Sequence, residues 1–214
     1  MNLDDAVTTE SMEFGHLVID FDERVLRPRP WTAMQSRWAA ELVANAPDGK
    51  VLELCSGAGH IGLLAIALEP RALVCVDLNP AACSFTRSNA ARAGLTVEVR
   101  QGDLAEALAL DETFALVIAD PPWVPAADTD RFPEDPLSAI DGGADGLHVA
   151  RLCLEVAGRH VAPGGPLLLQ LGTRAQAHRL ADHATRQRLR LVEIRDGERG
   201  IVARFDRLVR ADGE

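Results

Sequence analysis

Lysine is almost missing from this 214-residue chain. Lys50 is the single one, and arginine supplies the rest of the 22 basic residues. Against them stand 32 acidic residues, for a formal net charge of -10. That deficit opposes a protein that grips nucleic acid through its own field, because phosphate binding leans on patches of Lys and Arg. Long apolar runs are also missing. None approaches the roughly 18 residues of a membrane span. The first ten residues, MNLDDAVTTE, have no basic stretch leading into an apolar one, so they do not read as a secretory signal. Cys55, Cys75, Cys83 and Cys153 form no C-x-x-C pair, which removes zinc-type spacing, and no metal site is expected. Reduced thiols without a signal point to the cytoplasm. Internal repeats and low-complexity linkers are absent too.

What is present suits one large domain, or one domain with a small extension. Hydrophobic residues make up 47%, enough for a sizeable core. Residues 1–15 read as weakly ordered. HLVIDFDERVL (16–26) reads as a short hairpin or extended pair around Asp22 and Glu23. RPRP (27–30) cannot be helical, since each proline pushes its predecessor toward extended backbone. A helix is expected from about Thr32, as its cap, to Ala46.

From Lys50 onward the pattern alternates. KVLEL, ALVCVD, TVEVR and FALVIA read as strands and PGGPLLLQLG as a turn and a strand, and apolar or amphipathic helical stretches separate most of them. The helices include PAACSFTRSNAARAG, with proline in its first turn and Gly94 as its stop, and GADGLHVARLCLEVAGRHV. A helix near 174–187 precedes RLRLVEIR and GIVARFDRLV, which are joined by the turn DGER. Alternating strands and helices with fully apolar strands predict an α/β fold, a mostly parallel sheet with helices on both faces. The closing hairpin adds an antiparallel strand, expected as one reversed edge. Ligands of such sheets sit beyond the carboxyl ends of the strands.

Four strand ends carry the chemistry. In LELCSGAGHIG (52–62), Gly57, Gly59 and Gly62 fit G-x-G-x-x-G. A tight strand-to-helix turn would use glycines as well. Glu53 separates the two ligand classes that use such a loop. Its carboxylate would repel the pyrophosphate of a dinucleotide and suit the ammonium end of S-adenosylmethionine, directly or through a water. The other reading of Glu53 is a cap or ion-pair partner near the loop. His60, inside the loop, points at a cofactor or caps a helix turn. In VCVDLN (74–79), Asp77 is placed to accept from both ribose hydroxyls, and Asn79 is the better helix cap. In VRQGDLAEAL (99–108), Asp103 after Gly102 either accepts from an adenine amine, with Leu104 on the ring, or caps a helix. The fourth end is VIADPPWVP (117–125): a buried strand, then Asp120, Pro121, Pro122 and Trp123.

Strand–Asp–Pro–Pro–Trp resembles the [N/D]-P-P-[Y/F/W] motif of class I methyltransferases that act on planar nitrogens. DERVLRPRPWTA (22–33), VLELCSGAGHIGLLA, DLNPAACSFTRSNAARAGL and DPLSAIDGGADGLHVARLCLEVAGRHVAPGGPLLLQLG resemble segments of the release-factor and ribosomal-protein glutamine methyltransferases. The D-G-G-x-D-G-L stretch is the most specific of these.

The resemblance implies a Rossmann-like class I methyltransferase fold with a seven-stranded sheet. Residues 1–30 would be an extension with short strands and 31–214 the methyltransferase domain. It implies S-adenosylmethionine as cofactor, leaving as S-adenosylhomocysteine. Glu53, Cys55, Ser56, Gly57, Gly59, Asp77, Leu78, Gly102, Asp103, Leu104 and Asp120 would border the cofactor, with Arg29 and Thr32 from the Pro-Arg-Pro segment. Asp120, Pro121, Pro122 and Trp123 would form the catalytic clamp. The Asp120 carboxylate and the Pro121 carbonyl would accept from a planar nitrogen, on prolines whose fixed φ stiffens the geometry. Trp123 would offer a flat face.

The departures are specific. Asp120 stands where this family has Asn, and Trp123 where it has Tyr. Trp31, Thr32 and Ala33 replace acids after the Pro-Arg-Pro. The helical N-terminal domain used to engage a protein substrate has no counterpart in the 214 residues. The expected acceptor is a protein or peptide amide first and a small-molecule amine next, with a partner subunit or homodimer compatible with the short N-terminus. A nucleic-acid base is the rival acceptor, opposed by charge. A nicotinamide-dependent oxidoreductase or a non-catalytic binder on the same sheet is a further alternative, opposed by Glu53 and DPPW. The acidic, proline-rich segment 126–143 is expected as a loop over the site.

Overall fold

A computed structural model describes residues 8–208. Its order begins with β1 (Glu10–Phe14), β2 (Leu17–Phe21) and α1 (Ala33–Val43). Next come β3 (Lys50–Leu54), α2 (His60–Leu68), β4 (Leu73–Asp77), α3 (Pro80–Arg92), β5 (Val97–Gln101) and β6 (Phe114–Ala119). The chain closes with α4 (Leu137–Ile140), α5 (His148–His160), β7 (Pro166–Leu171), α6 (Arg174–Arg186), β8 (Leu189–Asp196) and β9 (Ile201–Arg207). Seven strands form one sheet in the order β5-β4-β3-β6-β7-β9-β8. The first five are parallel, and β9 runs antiparallel to both of its neighbours.

The apolar strands explain the layering. Successive side chains point to opposite faces, so a strand that is apolar throughout must be covered twice. Leu52, Leu54, Val74, Val117 and Leu169 pack on one face with Leu154, Ala157 and Leu180 of α5 and α6. Val51, Cys75, Leu116, Ile118 and Leu168 pack on the other with Trp38 of α1 and Ile61 and Leu64 of α2. Phe14, Ile19 and Phe21 of the β1–β2 hairpin join this second core. Asn89 of α3 ties the hairpin down. It accepts from the Asp20 N–H at 2.8 Å and donates to the carbonyls of Asp20 and Ala58 at 2.9 and 3.0 Å.

Four expectations need correcting. The hairpin turns at Gly15 and His16, where Gly15 has φ +63°, not at Asp22–Glu23. Residues 10–14 are therefore strand rather than loose chain, while residues 1–7 lie outside the described part. Thr32 does precede α1, but its hydroxyl donates back to the Arg29 carbonyl at 2.8 Å and caps no helical N–H. The reversed strand is not the edge. β9 inserts between β7 and β8, because a long parallel connection from β7 through α6 carries β8 outward and the hairpin folds back into the gap. Asn79 caps α3 as expected, accepting from the Ala81 N–H at 2.9 Å.

The chain runs β3, β4, β5 outward, then crosses back to β6 on the other side of β3. That reversal between β3 and β6 opens a crevice at the strands' carboxyl ends. No helix among the described residues is long and apolar enough to cross a membrane. Among the described residues no group of three or more His, Cys, Asp or Glu side chains could hold a metal ion.

Candidate active site

Two cavities meet at that crevice. The larger, of about 570 Å³, is lined by Cys55, Ser56, Gly57, His60, Asp77, Leu78, Asp103, Leu104, Asp120 and Pro122, among others. The smaller, of about 240 Å³, is lined by Arg29, Trp31, Thr32, Asp120, Pro121, Trp123, Phe132, Glu134, Gln170 and Arg199, among others. Asp120 belongs to both.

The wall of the larger cavity starts where β3 ends. Cys55 has φ +57°, unusual for a residue with a side chain, and Gly57 and Gly59 follow at +54° and +79°. A Cβ on Gly59 would lie 2.8 Å from the Thr86 methyl, so only glycine lets α3 approach. Thr86 in turn donates to the Gly57 carbonyl at 2.9 Å. The loop is thus held from behind while Cys55, Ser56 and Gly57 face the cavity. Ser56 Oγ and His60 Nδ1 are buried polar atoms without partners among the described residues. His60 meets the Phe14 ring edge-on at 4.8 Å, and burial lowers its pKa to about 3, so it is neutral.

Asp77 ends β4. Its carboxylate accepts from the Gly57 and Asn79 N–H groups, both at 2.8 Å. A carboxylate has about four acceptor positions, so two remain for a ligand. Burial raises its pKa, and the surrounding N–H donors oppose the rise. Asp103 accepts from the Ala105 N–H at 2.8 Å, a local turn bond, and is exposed at the far rim beside Leu104. Leu78 is 70% exposed on the same rim.

Glu53, Gly59 and Gly102 support this wall from outside the lining. Glu53 is buried beneath the loop. It accepts from the Gly62 N–H at 2.9 Å and from the Cys75 thiol at 3.4 Å. It thereby caps one of the N–H groups that the first turn of α2 leaves unpaired. Desolvation drives its pKa up to about 8, with the Gly62 bond opposing. Gly102 donates to the Asp77 carbonyl at 3.0 Å and steadies β5 against β4. Arg29 and Thr32 lie against the smaller cavity, not the glycine-loop one; Val25 and Leu26 of the same segment reach the larger.

Asp-Pro-Pro-Trp leaves β6 at its buried end. The last carbonyl of β6, on Ala119, accepts from Gln35 of α1 at 3.0 Å. Asp120 is half-buried, and desolvation pushes its pKa up to about 7. The two prolines alternate, Pro121 toward the smaller cavity and Pro122 toward the larger. The D-G-G-x-D-G-L stretch, residues 141–147, packs on the back of this turn. Val124 donates to the Ile140 carbonyl at 3.0 Å and accepts from the Gly142 N–H at 2.8 Å. A Cβ on Gly142 would sit 2.8 Å from the Pro122 carbonyl, and one on Gly146 (φ +70°) would run into the Trp123 carbonyl. Gly172, just past β7, admits the Trp123 ring; a Cβ there would be 2.6 Å from it. Gln176 completes the cradle by donating to the Trp123 carbonyl at 3.0 Å.

Segment 126–143 forms a turn of 3-10 helix and the short α4. Ser138 faces the larger cavity, Phe132, Glu134, Asp135 and Ile140 the smaller, and Ala139 both. Arg29 fastens the segment through Asp135 at 2.6 Å.

The sequence reading missed Gln35, Gly172, Gln176, Trp31 as a cavity wall, and Arg199. Gln176 had a local signal: Thr173-Arg-Ala-Gln176 is a capping box. The others lie far from the motif in sequence and carry no local mark.

Sheet order and the placement of both cavities at the topological switch define a Rossmann-like class I methyltransferase fold. The model of the methyltransferase small domain matches residues 35–133. Within that class the chain is similar to the release factor glutamine methyltransferase of Deinococcus radiodurans, 37% identical over 171 residues, covering 78% of this chain and 61% of the relative. It is similar also to the ribosomal protein uL3 glutamine methyltransferase of Bradyrhizobium diazoefficiens, 34% identical over 166 residues, covering 71% of this chain and 52% of the relative. The chain thus spans only half to three-fifths of the length of these relatives. A solved 16S rRNA N2 methyltransferase of T. thermophilus, in complex with AdoMet and guanosine, shares the fold with a TM-score of 0.66 and 15% identity, over 97% of this chain and 52% of that one.

Proposed function

We propose that this domain is an S-adenosylmethionine-dependent N-methyltransferase whose acceptor is a planar nitrogen, with a protein glutamine amide as the first substrate class. The observation that carries this is Asp120, a carboxylate standing between a glycine-loop cavity and a smaller aromatic one. The larger cavity has features the cofactor needs: about 570 Å³ and an acid with spare acceptor positions. Asp77 would hold the ribose hydroxyls and Asp103 with Leu104 the adenine. The loop of Cys55, Ser56 and Gly57 would face the amino-acid end, with Glu53 beneath it. When bound, S-adenosylmethionine supplies a methyl group on a sulfonium that is already activated.

Asp120 and the Pro121 carbonyl then act on the acceptor. They accept from its N–H groups and aim its lone pair, so orientation supplies much of the rate. As the N–C bond forms and the S–C bond breaks, the nitrogen must lose a proton. Asp120, with a pKa near 7, is able to take it. An asparagine cannot, because a neutral side-chain amide accepts hydrogen bonds but is far too weak a base to hold a proton in water. Trp123 and Phe132 flank the planar group.

Relatives named for release factor and ribosomal protein substrates support a protein acceptor and a cytoplasmic setting. Residues 1–30 would be an extension with short strands, and 31–214 would form the transferase domain. A partner subunit or homodimer belongs to the same proposal. A small-molecule amine is the second acceptor class, favoured by the modest volume of the smaller cavity.

Tritiated S-adenosylmethionine labelling of a cell extract, before and after protease and nuclease treatment, tests the acceptor. Label lost to protease is expected. Label lost to nuclease instead would move the assignment to a nucleic-acid base. Calorimetry with S-adenosylhomocysteine and NAD tests the cofactor. Binding of NAD without binding of S-adenosylhomocysteine would overturn the proposal.

A further inference from the structure

The smaller cavity holds two arginines with different circumstances. Arg29 is neutralised by Asp135. Arg199 also lines the cavity, and it pairs with no carboxylate among the described residues. Both guanidinium groups lie near the ring of Trp31, Arg29 at 5.8 Å and Arg199 at 5.4 Å from its centroid. Glu134 lines the cavity as well, is exposed, and pairs with neither.

Arg199 is carried on the β8–β9 turn, and that turn is fixed. The Gly197 N–H donates to the Gly200 carbonyl at 3.1 Å. Gly200 has φ +71°, and a Cβ there would meet the Leu171 carbonyl at 2.6 Å and Gln170 Nε2 at 2.8 Å, so the turn is pressed on the end of β7. Farther along the hairpin, Arg195 stacks over Trp38 at 4.0 Å and pairs with Glu41 of α1. The turn fixes where the Arg199 side chain starts, while the side chain itself is exposed and rests only near the Trp31 ring.

The cavity therefore presents Asp120 and the Pro121 carbonyl from the β6 end, aromatic walls from Trp31, Trp123 and Phe132, and an unneutralised guanidinium from the hairpin. At about 240 Å³ it lies below the roughly 300–1,000 Å³ of pockets for drug-sized ligands. Asp120 and Arg199 line this same small cavity, so one acceptor can meet both. Arg binds carboxylates through paired N–H donors, a geometry that Lys does not reproduce.

We infer that Arg199 is a specificity-determining residue that anchors a carboxylate on the methyl acceptor, so the acceptor class is a planar amide or amine bearing a nearby carboxylate. The carboxylate belongs either to a free small molecule or to an acidic residue beside the acceptor side chain. The inference rests on the methyl-transfer reading only for which cavity takes the acceptor.

The test titrates N-acetylglutamine and its C-terminal amide, in parallel, against protein saturated with S-adenosylhomocysteine, following NMR shifts of the tryptophan indoles. The carboxylate form is expected to bind about tenfold tighter or more. Arg199→Gln should erase that preference and Arg199→Lys should restore part of it, while S-adenosylhomocysteine affinity stays unchanged in both. Capped peptides containing Gln-Glu or Gln-Gln distinguish the two sources. A preference for Gln-Glu that depends on Arg199 assigns the anion to a peptide; a preference confined to N-acetylglutamine assigns it to a small molecule. Equal binding of both forms, a preference that survives in Arg199→Gln, or no binding of any probe overturns the inference. Loss of S-adenosylhomocysteine binding by the unaltered protein would strike the methyltransferase reading instead, and the carboxylate preference is then read on the protein without it.

Discussion

The cavities on the two sides of Asp120 are built from different materials. One side of the larger is a continuous strand-loop-helix with the ends of neighbouring strands, shaped by backbone conformation: Cys55, Gly57 and Gly59 at positive φ, and N–H groups turned onto Asp77; side chains from residues 25–26, 103–104, 138–139 and 148–152 close the rest. The smaller is shaped by side chains gathered from residues 26–32, 120–124, 132–140, 170 and 199. A cavity made of backbone can serve one constant ligand across many sequences. One made of gathered side chains can change its ligand by substitution without disturbing the fold. Of the departures of this chain from the glutamine methyltransferase pattern, Trp31, Thr32 and Trp123 line the smaller cavity alone, Asp120 lines both, and Ala33 lines neither.

That contrast can be broken most sharply at the shared residue. Asp120→Ala is expected to lower methyl-transfer turnover about 100- to 1,000-fold, the cost of a lost positioned polar group, and to change S-adenosylhomocysteine affinity only a few-fold by calorimetry. Retention of full activity would end the clamp idea. Gly146→Ala should damage one side alone. Its backbone is left-handed and its Cβ would run into the Trp123 carbonyl, so we expect a loss of about 1–3 kcal/mol in denaturant unfolding. Acceptor methylation should fall, with cofactor affinity preserved in the folded fraction. Equal loss on both sides would show that the cavities are not separable.

Asp77→Ala is the converse. S-adenosylhomocysteine should bind about tenfold more weakly, as expected for lost hydrogen bonds to a charged group, while acceptor KM at saturating cofactor holds. An acceptor defect of equal size would contradict the division.

The pH dependence sharpens the role of Asp120. Its folded pKa is raised from 3.8 to about 7, so kcat/KM should climb as pH rises through about 7, where the accepting carboxylate forms. The stability consequence has the opposite sense. Between pH 3.8 and 7 the folded state holds this proton more tightly than the unfolded chain, so the Asp120 contribution to stability falls as pH rises across that window. Asp120→Asn should flatten both profiles. Unchanged turnover on an amide with loss on an amine would identify the acceptor nitrogen.

The smallest effect is expected at the fastening of segment 126–143. Arg29→Gln removes the partly exposed pair with Asp135 and should cost about 1 kcal/mol or less in global stability. Faster hydrogen exchange confined to residues 132–140 is the readout, and protection there equal to wild type would remove Arg29 as the fastener.

Local pattern made half of this legible. Apolar strands force cover on both faces, so KVLEL, ALVCVD and FALVIA announce a buried parallel sheet. Glycines between a strand and a helix announce the loop. Asp77 and Asp120 stand at strand ends because the chain there leaves the core. The reading failed where the competing signals were equally local. DFDER looked like the hairpin turn, yet Gly15 takes it, because its left-handed backbone joins Phe14 and Leu17 in register. Glu53 followed the strand like a ligand-facing acid, but its position in the pleat turns it under α2.

The sequence by itself determined the layered sheet, the glycine loop, and the acids and prolines at the strand ends, since each depends on neighbours within a few residues. Tertiary structure alone decided that β9 lies inside the sheet, that Gly172 and Gly146 make room for Trp123, and that Arg199 stands over Trp31 in a cavity that Asp120 also lines. Those juxtapositions join residues 20 to 170 positions apart, and only the packing of the whole core brings them within contact distance.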